Sequence, residues 1–502
     1  MRDDGGRFSS TLRRFRIIAV VGTISLLAGF LTFGFAPPAE ALPSYARQTG
    51  QPCGTCHTDF AGLTPYGRRF KIDGYTDGGG PYRTTLFPSS DDSVKKSYVP
   101  PMLAKSVPSY DNSAKSDQKD WVPPISMMAI VGFTNTQTPM APPTAPYNAN
   151  NNVVLSPVSL FWGGAITDHV GTFAQVTYNA PPPGGFGGDP FGHTWTWDNT
   201  DVRYANSTRF GSFAVTYGIT ANNNPTVQDP WNTTPAWVFP YAVSTLGNGF
   251  GSTPIIDGAF AAHVVSVGAY AYVNDALYLE ASVYTTLSPN AQNNLGTDPF
   301  GAPGLFDAAP YWRVAYEPHW GNSWLEVGTF GMYAGVHPWT MAGTPTTTTF
   351  AQTDNYTDIG FDTQYQYQGD NFWLTLRGSY IYEYQNLAAS FANAFAANPT
   401  NTLNEARAYA SLAYGNNNRV VLTGQYFTTW GTPDLVLYGG SPNTNGWIAE
   451  IAYIPFISSQ APGWPWFNLR LGLQYTWYTE FNGTTVGASA NNTLFLYAWV
   501  AM

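Results

Sequence analysis

The sequence predicts an all-β fold: a transmembrane antiparallel β-barrel of about sixteen strands behind a small N-terminal domain. Three observations predict it. Charged residues make up only 11% of the 502-residue chain, well below the ~25% usual in soluble domains, while aromatics reach 16%. Stretches of period two recur from Trp121 to the C-terminus. The connections between them alternate between tight and long. Hydrophobic residues, at 44%, are too few for a bundle of membrane helices. Few charges with abundant Tyr, Trp, Asn, Thr and Gly suit strands that turn one face to lipid and the other to a polar interior. Such a barrel also escapes the size limit of a single soluble core.

The first 41 residues read as an address. Arg2, Arg7, Arg13, Arg14 and Arg16 form a basic n-region, Ile17 to Phe35 is an apolar run, and Ala39-Glu40-Ala41 is a small-x-small site. This is the pattern of a secretory signal peptide, with cleavage expected before Leu42. An uncleaved N-terminal anchor is the alternative, because the apolar run is long. Cleavage leaves the chain more acidic than its full-length net charge of −10, which argues against nucleic acid as a partner.

The strands are read from alternation, since successive side chains on a strand point to opposite faces. In residues 372–385 Leu374, Leu376, Tyr380, Tyr382 and Tyr384 share one face, and Thr375, Arg377, Ser379, Glu383 and Gln385 the other. From Phe467, Leu469, Leu471 and Leu473 oppose Asn468, Arg470 and Gln474. Asp358, Asp362, Gln364 and Gln366 share one side of their segment. In the last strand Leu494, Leu496, Ala498, Val500 and Met502 form the apolar face, with Tyr497 and Trp499 opposite. A soluble sandwich or propeller with one wet face would alternate too. Trp and Tyr crowding the strand ends, and the loop lengths, favour a membrane barrel.

Tight connections fall near Asp168–Gly171, Ser207–Gly211, Asn274–Asp275, Glu317–Asn322, Gln368–Asn371 and Gly415–Asn418. Between them lie long Pro-, Asn- and Gly-rich excursions, such as Thr138–Asn152, Asn222–Gly258 and His337–Thr353. Short turns and the N-terminus are expected on the periplasmic side of an outer membrane, and long loops outside. The polar phase carries Asp201, Arg203, Glu280, Glu326, Asp358, Asp362, Arg377, Glu383, Glu405, Arg407 and Arg470. A mutually paired lumen is the preferred reading of these charges over an ion-conducting one.

Residues 42–120 differ from the barrel segment 121–502. They are rich in loop-forming residues and hold a basic cluster, Gly67-Arg68-Arg69-Phe70-Lys71. They also hold both cysteines of the chain, in QTGQPCGTCHTDF. C-x-x-C-H is the attachment signature of a c-type haem. Two thiols separated by two intervening residues reach the two vinyl groups of one porphyrin, and the adjacent histidine becomes the proximal iron ligand. Cys53, Cys56 and His57 fill these places, so one covalent haem c is expected, carried by a small domain that plugs the barrel. A zinc site would need four ligands, and no other cysteine exists. A redox dithiol would want a βαβ context. A disulfide across two residues would be strained. For the distal ligand the candidates are Met102, Met127, Met128 and Met140. In the first strand Ile125, Met127, Ala129, Val131 and Phe133 share the lipid phase, and Ser126, Met128, Gly132 and Thr134 the lumen phase. Met128 is therefore the first choice and Met102 the second, with a histidine, another group or an open position as alternatives.

These features together resemble the fused outer-membrane monohaem cytochrome–porins of iron-oxidising bacteria. The resemblance is strongest over ARQTGQPCGTCHTDFAGLTPYGRRFKIDGY, residues 46–75, and extends to NNPTVQDPWNTTPAWVFPY, residues 223–241, and to the closing NNTLFLYAW. Met502 departs from the C-terminal aromatic usual in barrels. The resemblance implies an electron-transfer activity: electrons from extracellular Fe(II) would pass through the single haem to a periplasmic cytochrome or cupredoxin. No iron-binding residues carry over from it. A porin with a haem plug, and a conduit for a different extracellular donor, are the competing functions.

Overall fold

The fold is that of a computed structural model, which describes residues 42–77, 122–139, 148–178, 195–299, 302–337 and 353–502. All of these lie in one compact unit, Pro38–Met502. The leader residues 1–41, the later part of the expected N-terminal domain (78–120) and Met102 and Met140 within the candidate ligands lie outside the described residues.

Alternation produces the barrel directly. The strands are β1 (Ile125–Thr136), β2 (Asn152–Ala165), β3 (Val170–Tyr178), β4 (Trp195–Phe210), β5 (Phe213–Asn222) and β6 (Val264–Val273). They continue with β7 (Leu277–Thr286), β8 (Ala309–Tyr316), β9 (Ser323–Val336), β10 (Asp354–Gln368) and β11 (Phe372–Asn386). The last are β12 (Thr400–Tyr414), β13 (Arg419–Gly431), β14 (Thr444–Ile454), β15 (Asn468–Glu480) and β16 (Thr493–Ala501). His319–Trp320 is a short piece that extends β8 along β9. Each strand pairs antiparallel with its neighbour in sequence, and β16 closes on β1 with Leu496 opposite Phe133. Closure leaves no edge, as a strand structure in lipid requires.

The faces are inverted relative to a soluble protein. Val267, on the outside, is 65% exposed, whereas Arg203, Arg313, Glu326 and Arg470, on the inside, are fully buried. An even-stranded antiparallel barrel with an apolar outer face and a polar interior is of the outer-membrane type. The expected lumen charges are inside, and several are paired: Arg203 meets Asp201 at 2.7 Å, Arg313 meets Asp362 at 2.8 Å, and Arg407 meets Glu405 at 3.0 Å.

The six expected tight connections all lie at one end of the barrel. A seventh connection at that end, 455–467, is long and was not foreseen. The other difference is the excursion expected over Asn222–Gly258. Instead of standing outside, residues 223–263 fold into the lumen and bond to the wall all the way round. Gln228 donates to Glu280 on β7, Asp229 meets Arg313 on β8, and Thr233 bonds Asp362 on β10. Arg377 on β11 donates to the Asn232 carbonyl, Gln425 on β13 to that of Phe239, and Gln474 on β15 to that of Ala242. Ser244 pairs with Thr134 on β1 at 2.6 Å. The cause is chemical: lumen cations and amides need acceptors, and a polar loop supplies them where water is excluded.

Arg313 tests this arrangement, because it ties Asp229 of the loop to Asp362 and Glu326 of the wall. Arg313→Met leaves three carboxylates facing one another, and breaking a buried ion pair costs about 3–5 kcal/mol. The expected outcome is a lower melting point of the heat-modifiable barrel band in detergent gels, and ion conductance in planar bilayers above that of the wild type.

Candidate functional site

The site is built from three segments that are far apart in sequence. The first is residues 42–77, which form short elements laid against the inner wall at the tight-turn end. Pro43 opens the helix Pro43–Thr49, and Gly50 closes it at φ 72°, in the left-handed region that glycine reaches without strain. The helical turn Cys53–Cys56 follows, then the hairpin pair His57–Asp59 and Gly62–Leu63. Thr64 caps the helix Pro65–Ile72, its hydroxyl accepting from Gly67 N at 3.2 Å, with Pro65 at the first turn. Tyr45, Phe70 and Tyr75 pack together, with ring centroids 4.9–5.9 Å apart.

The wall holds this segment at many points. Arg47 donates to the Ile125 carbonyl at 2.7 Å, Tyr45 to that of Thr172 at 2.8 Å, and Tyr75 to Asp201 at 2.7 Å. Both arginines of the basic cluster are ion-paired in this docking. Arg68 meets Glu317 at 2.8 Å, and Arg69 meets Asp73 and Asp275. Asp59 pairs with Arg470, which also pairs with Glu450.

The C-x-x-C-H turn itself is held through its backbone. Gly54 N donates to the Ile457 carbonyl at 3.1 Å, so the unforeseen long turn 455–467 braces the motif. Thr64 N donates to the Cys56 carbonyl at 2.9 Å. Arg419 on β13 donates to the carbonyls of His57 and Thr58, at 2.7 and 2.9 Å. Neither cysteine is in a disulfide. Burial pushes the Cys56 thiol up. Burial also lowers His57 to about 4, with the Arg419 charge adding to the drop and the Gly62 backbone opposing it. His57 is therefore neutral at pH 7, which is the ligand form of imidazole.

Cys53, Cys56 and His57 open on a cavity of about 350 Å³, within the range of cofactor pockets. Its walls come from all three segments. Residues 42–77 contribute Tyr45, Phe60, Leu63 and Phe70, and the strands Met128, Phe161, Phe173 and Trp499. The inward loop contributes Trp237, Val238, Pro240 and Tyr241. Met128, on the lumen phase of its strand, lines the same cavity as His57, while Met127 does not line it. The residues present fit a c-type haem: two thiols and a neutral histidine on one rigid turn, an apolar chamber, and a thioether on the chamber wall. Among the described residues no group of three or more His, Cys, Asp or Glu is arranged to hold a metal ion. A haem needs none, since its porphyrin brings four nitrogen ligands.

Sequence reasoning missed the inward-loop wall, Arg419 and the 455–467 brace. The loop had one available signal: residues 223–241 are crowded with Trp, Pro, Asn and Thr, more aromatic than a solvated loop needs.

No protein-family model and no curated protein matches this chain. Solved structures that it is similar to include outer-membrane-expressed OmpT of Vibrio cholerae, at 10% identity over 75% of this chain and 97% of that one, with a TM-score of 0.40. The outer membrane channel DcaP of Acinetobacter baumannii gives 11% identity over 75% and 96%, at 0.40. Salmonella typhi OmpF in complex with daunomycin gives 11% over 75% and 97%, at 0.41. At these scores the likenesses carry no argument about activity.

Gly67 is the tightest point of the site, since a Cβ there would overlap the Cys56 carbonyl oxygen. Forcing a side chain into such a contact costs about 1–3 kcal/mol. Gly67→Ala is expected to leave the barrel assembled but to raise amide hydrogen exchange across residues 53–72 by about 10-fold or more, as read by mass spectrometry.

Proposed function

We propose that the chain is an outer-membrane c-type cytochrome–porin that accepts electrons from extracellular Fe(II) and delivers them to a periplasmic electron carrier. The observation that carries this reading is the shared cavity: Cys53, Cys56, His57 and Met128 all line one apolar chamber inside a barrel. The resemblance over residues 46–75 and 223–241 supplies the donor and the acceptor.

Cys53 and Cys56 would hold the haem covalently, His57 would be its proximal ligand and Met128 its distal one. Bound there, the haem supplies reversible one-electron Fe(III)/Fe(II) chemistry, and a methionine ligand favours a high potential. The chain's own residues do the rest. Arg419 and Thr64 fix the carbonyls around the motif, so the imidazole presents one orientation. Phe60, Phe161, Phe173, Trp237 and Trp499 exclude water from the chamber. Residues 42–77 act as the plug, and the inward loop closes the lumen with them. These contacts favour a conduit for electrons over a channel for ions or solutes.

The test is stopped-flow absorbance of purified oxidised protein mixed with Fe(II) at acidic and neutral pH. The expected result is a reduced α-band that grows rapidly, saturates with Fe(II) and is lost in Cys53→Ala/Cys56→Ala. If dithionite reduces the haem and Fe(II) does not, the iron assignment falls and another donor or a haem-plugged porin replaces it. Met128→Leu is expected to keep the covalent haem, lose the near-infrared band of a thioether–iron bond and lower the reduction potential.

A further inference from the structure

The cavity contains one charge that the haem ligands do not explain. Lys71 lines it, from the helix Pro65–Ile72, and is only 5% exposed. Its ammonium donates to the Val227 carbonyl at 2.8 Å and to Asn232 Oδ1 at 3.1 Å, and lies 4.9 Å from the centroid of Trp237. An ammonium has three donors, and these two acceptors take two. The neighbouring cations of the same helix have acids: Arg68 has Glu317, and Arg69 has Asp73 and Asp275. Lys71 has no carboxylate at ion-pair distance among the described residues.

We propose that Lys71 is the anion anchor of this chamber, pairing with a carboxylate of the group bound there, which is a propionate if that group is haem. The inference rests on the haem reading of the cavity. Three arguments support it. First, an ammonium buried without a counter-charge is costly, and an arriving carboxylate removes that cost. Second, burial lowers Lys71 to about 7, with Arg203 adding to the drop and the more distant Asp201, Asp229 and Glu280 opposing it. The chamber walls thus only half support this cation. Third, Lys71 and the cysteine turn line one cavity but are held by different segments. The cysteine turn is braced by Ile457 and Arg419, whereas Lys71 is braced by the inward loop at Val227, Asn232 and Trp237. A c-type haem is tethered by its vinyl edge, and its propionates stand on the opposite edge. The inward loop therefore acts through Lys71 as the support for the propionate end.

A cation beside a propionate stabilises the reduced haem, because the ferrous form carries one positive charge fewer. The experiment compares full-length wild type, Lys71→Met and Lys71→Arg, each purified in detergent and loaded with haem. Covalent haem is counted by pyridine haemochrome, and assembly by the heat-modifiable barrel band. Spectroelectrochemical titration then reads the midpoint, and resonance Raman the propionate bending mode. At the wild-type midpoint, Lys71→Met is expected to lower the ferrous-to-ferric ratio about tenfold, the size of effect of one nearby charge in a partly screened interior. The propionate mode is expected to shift, and Lys71→Arg to restore both in part. Should Lys71→Met not assemble, Lys71→Gln carries the same comparison. A fully loaded Lys71→Met with unchanged midpoint and propionate mode overturns the anchor. Loss in that variant of an amine–iron band seen in the wild type also overturns it, by making Lys71 an iron ligand. Absence of covalent haem from the wild type overturns the haem reading instead.

Discussion

The closed hydrogen-bonded ladder is the constraint on which the rest of this structure depends. In hydrocarbon an unpaired backbone amide has no water to turn to, so strands can cross a bilayer only if the sheet has no edge. Closing β16 on β1 meets that demand. It also divides every strand into a lipid phase and a lumen phase. Apolar side chains go outward, and the polar ones are forced into an interior narrow enough for them to meet. The paired arginines and carboxylates of the lumen are thus a consequence of the ladder.

A polar wall then dictates what can fill the barrel. Lumen arginines such as Arg313, Arg377 and Arg470 are donor-rich and buried, and each must find acceptors. Some come from neighbouring strands. The rest come from the two chain segments laid inside, through Asp59, Asp229 and the carbonyls of Gln228 and Asn232. The filling and the wall are one network. Removing either leaves buried charge, which is far more costly than an exposed salt bridge lost to solvent.

Much of this was legible because strand periodicity is exact. A period of two places Met128 on the lumen phase without any knowledge of partners, and Met128 lines the cavity there. The tight connections were legible because short turns draw on a few residue types. The direction of the 223–263 loop was not. Its Pro, Asn and Gly content says that it is a loop, but its inward course depends on Arg313, Arg377 and Gln425, which are scattered over more than a hundred residues of sequence. The 455–467 turn escaped for a similar reason: nothing local marks a long connection on the short-turn side. In the basic cluster the charges were visible, but their acids, Glu317 and Asp275, lie at the tips of distant turns.

The chamber is one of several apolar regions inside the barrel, beside clusters such as Ile255, Ile256 and Phe260 against Phe330 and Ile381. No packing rule requires Phe60, Phe161, Phe173, Trp237 and Trp499 to meet around an open space. Its walls are held from outside: the C-x-x-C-H turn by Arg419 and Ile457, the loop by Gln425 and Arg377, and Met128 by the barrel itself. On the haem reading, these supports suit the chamber to a flat, largely apolar group. On the proposed reading the barrel contributes more than passage through the membrane. It supplies a dry site with fixed ligands, whose low polarity disfavours the more highly charged oxidised iron and so raises the potential at which electrons are accepted.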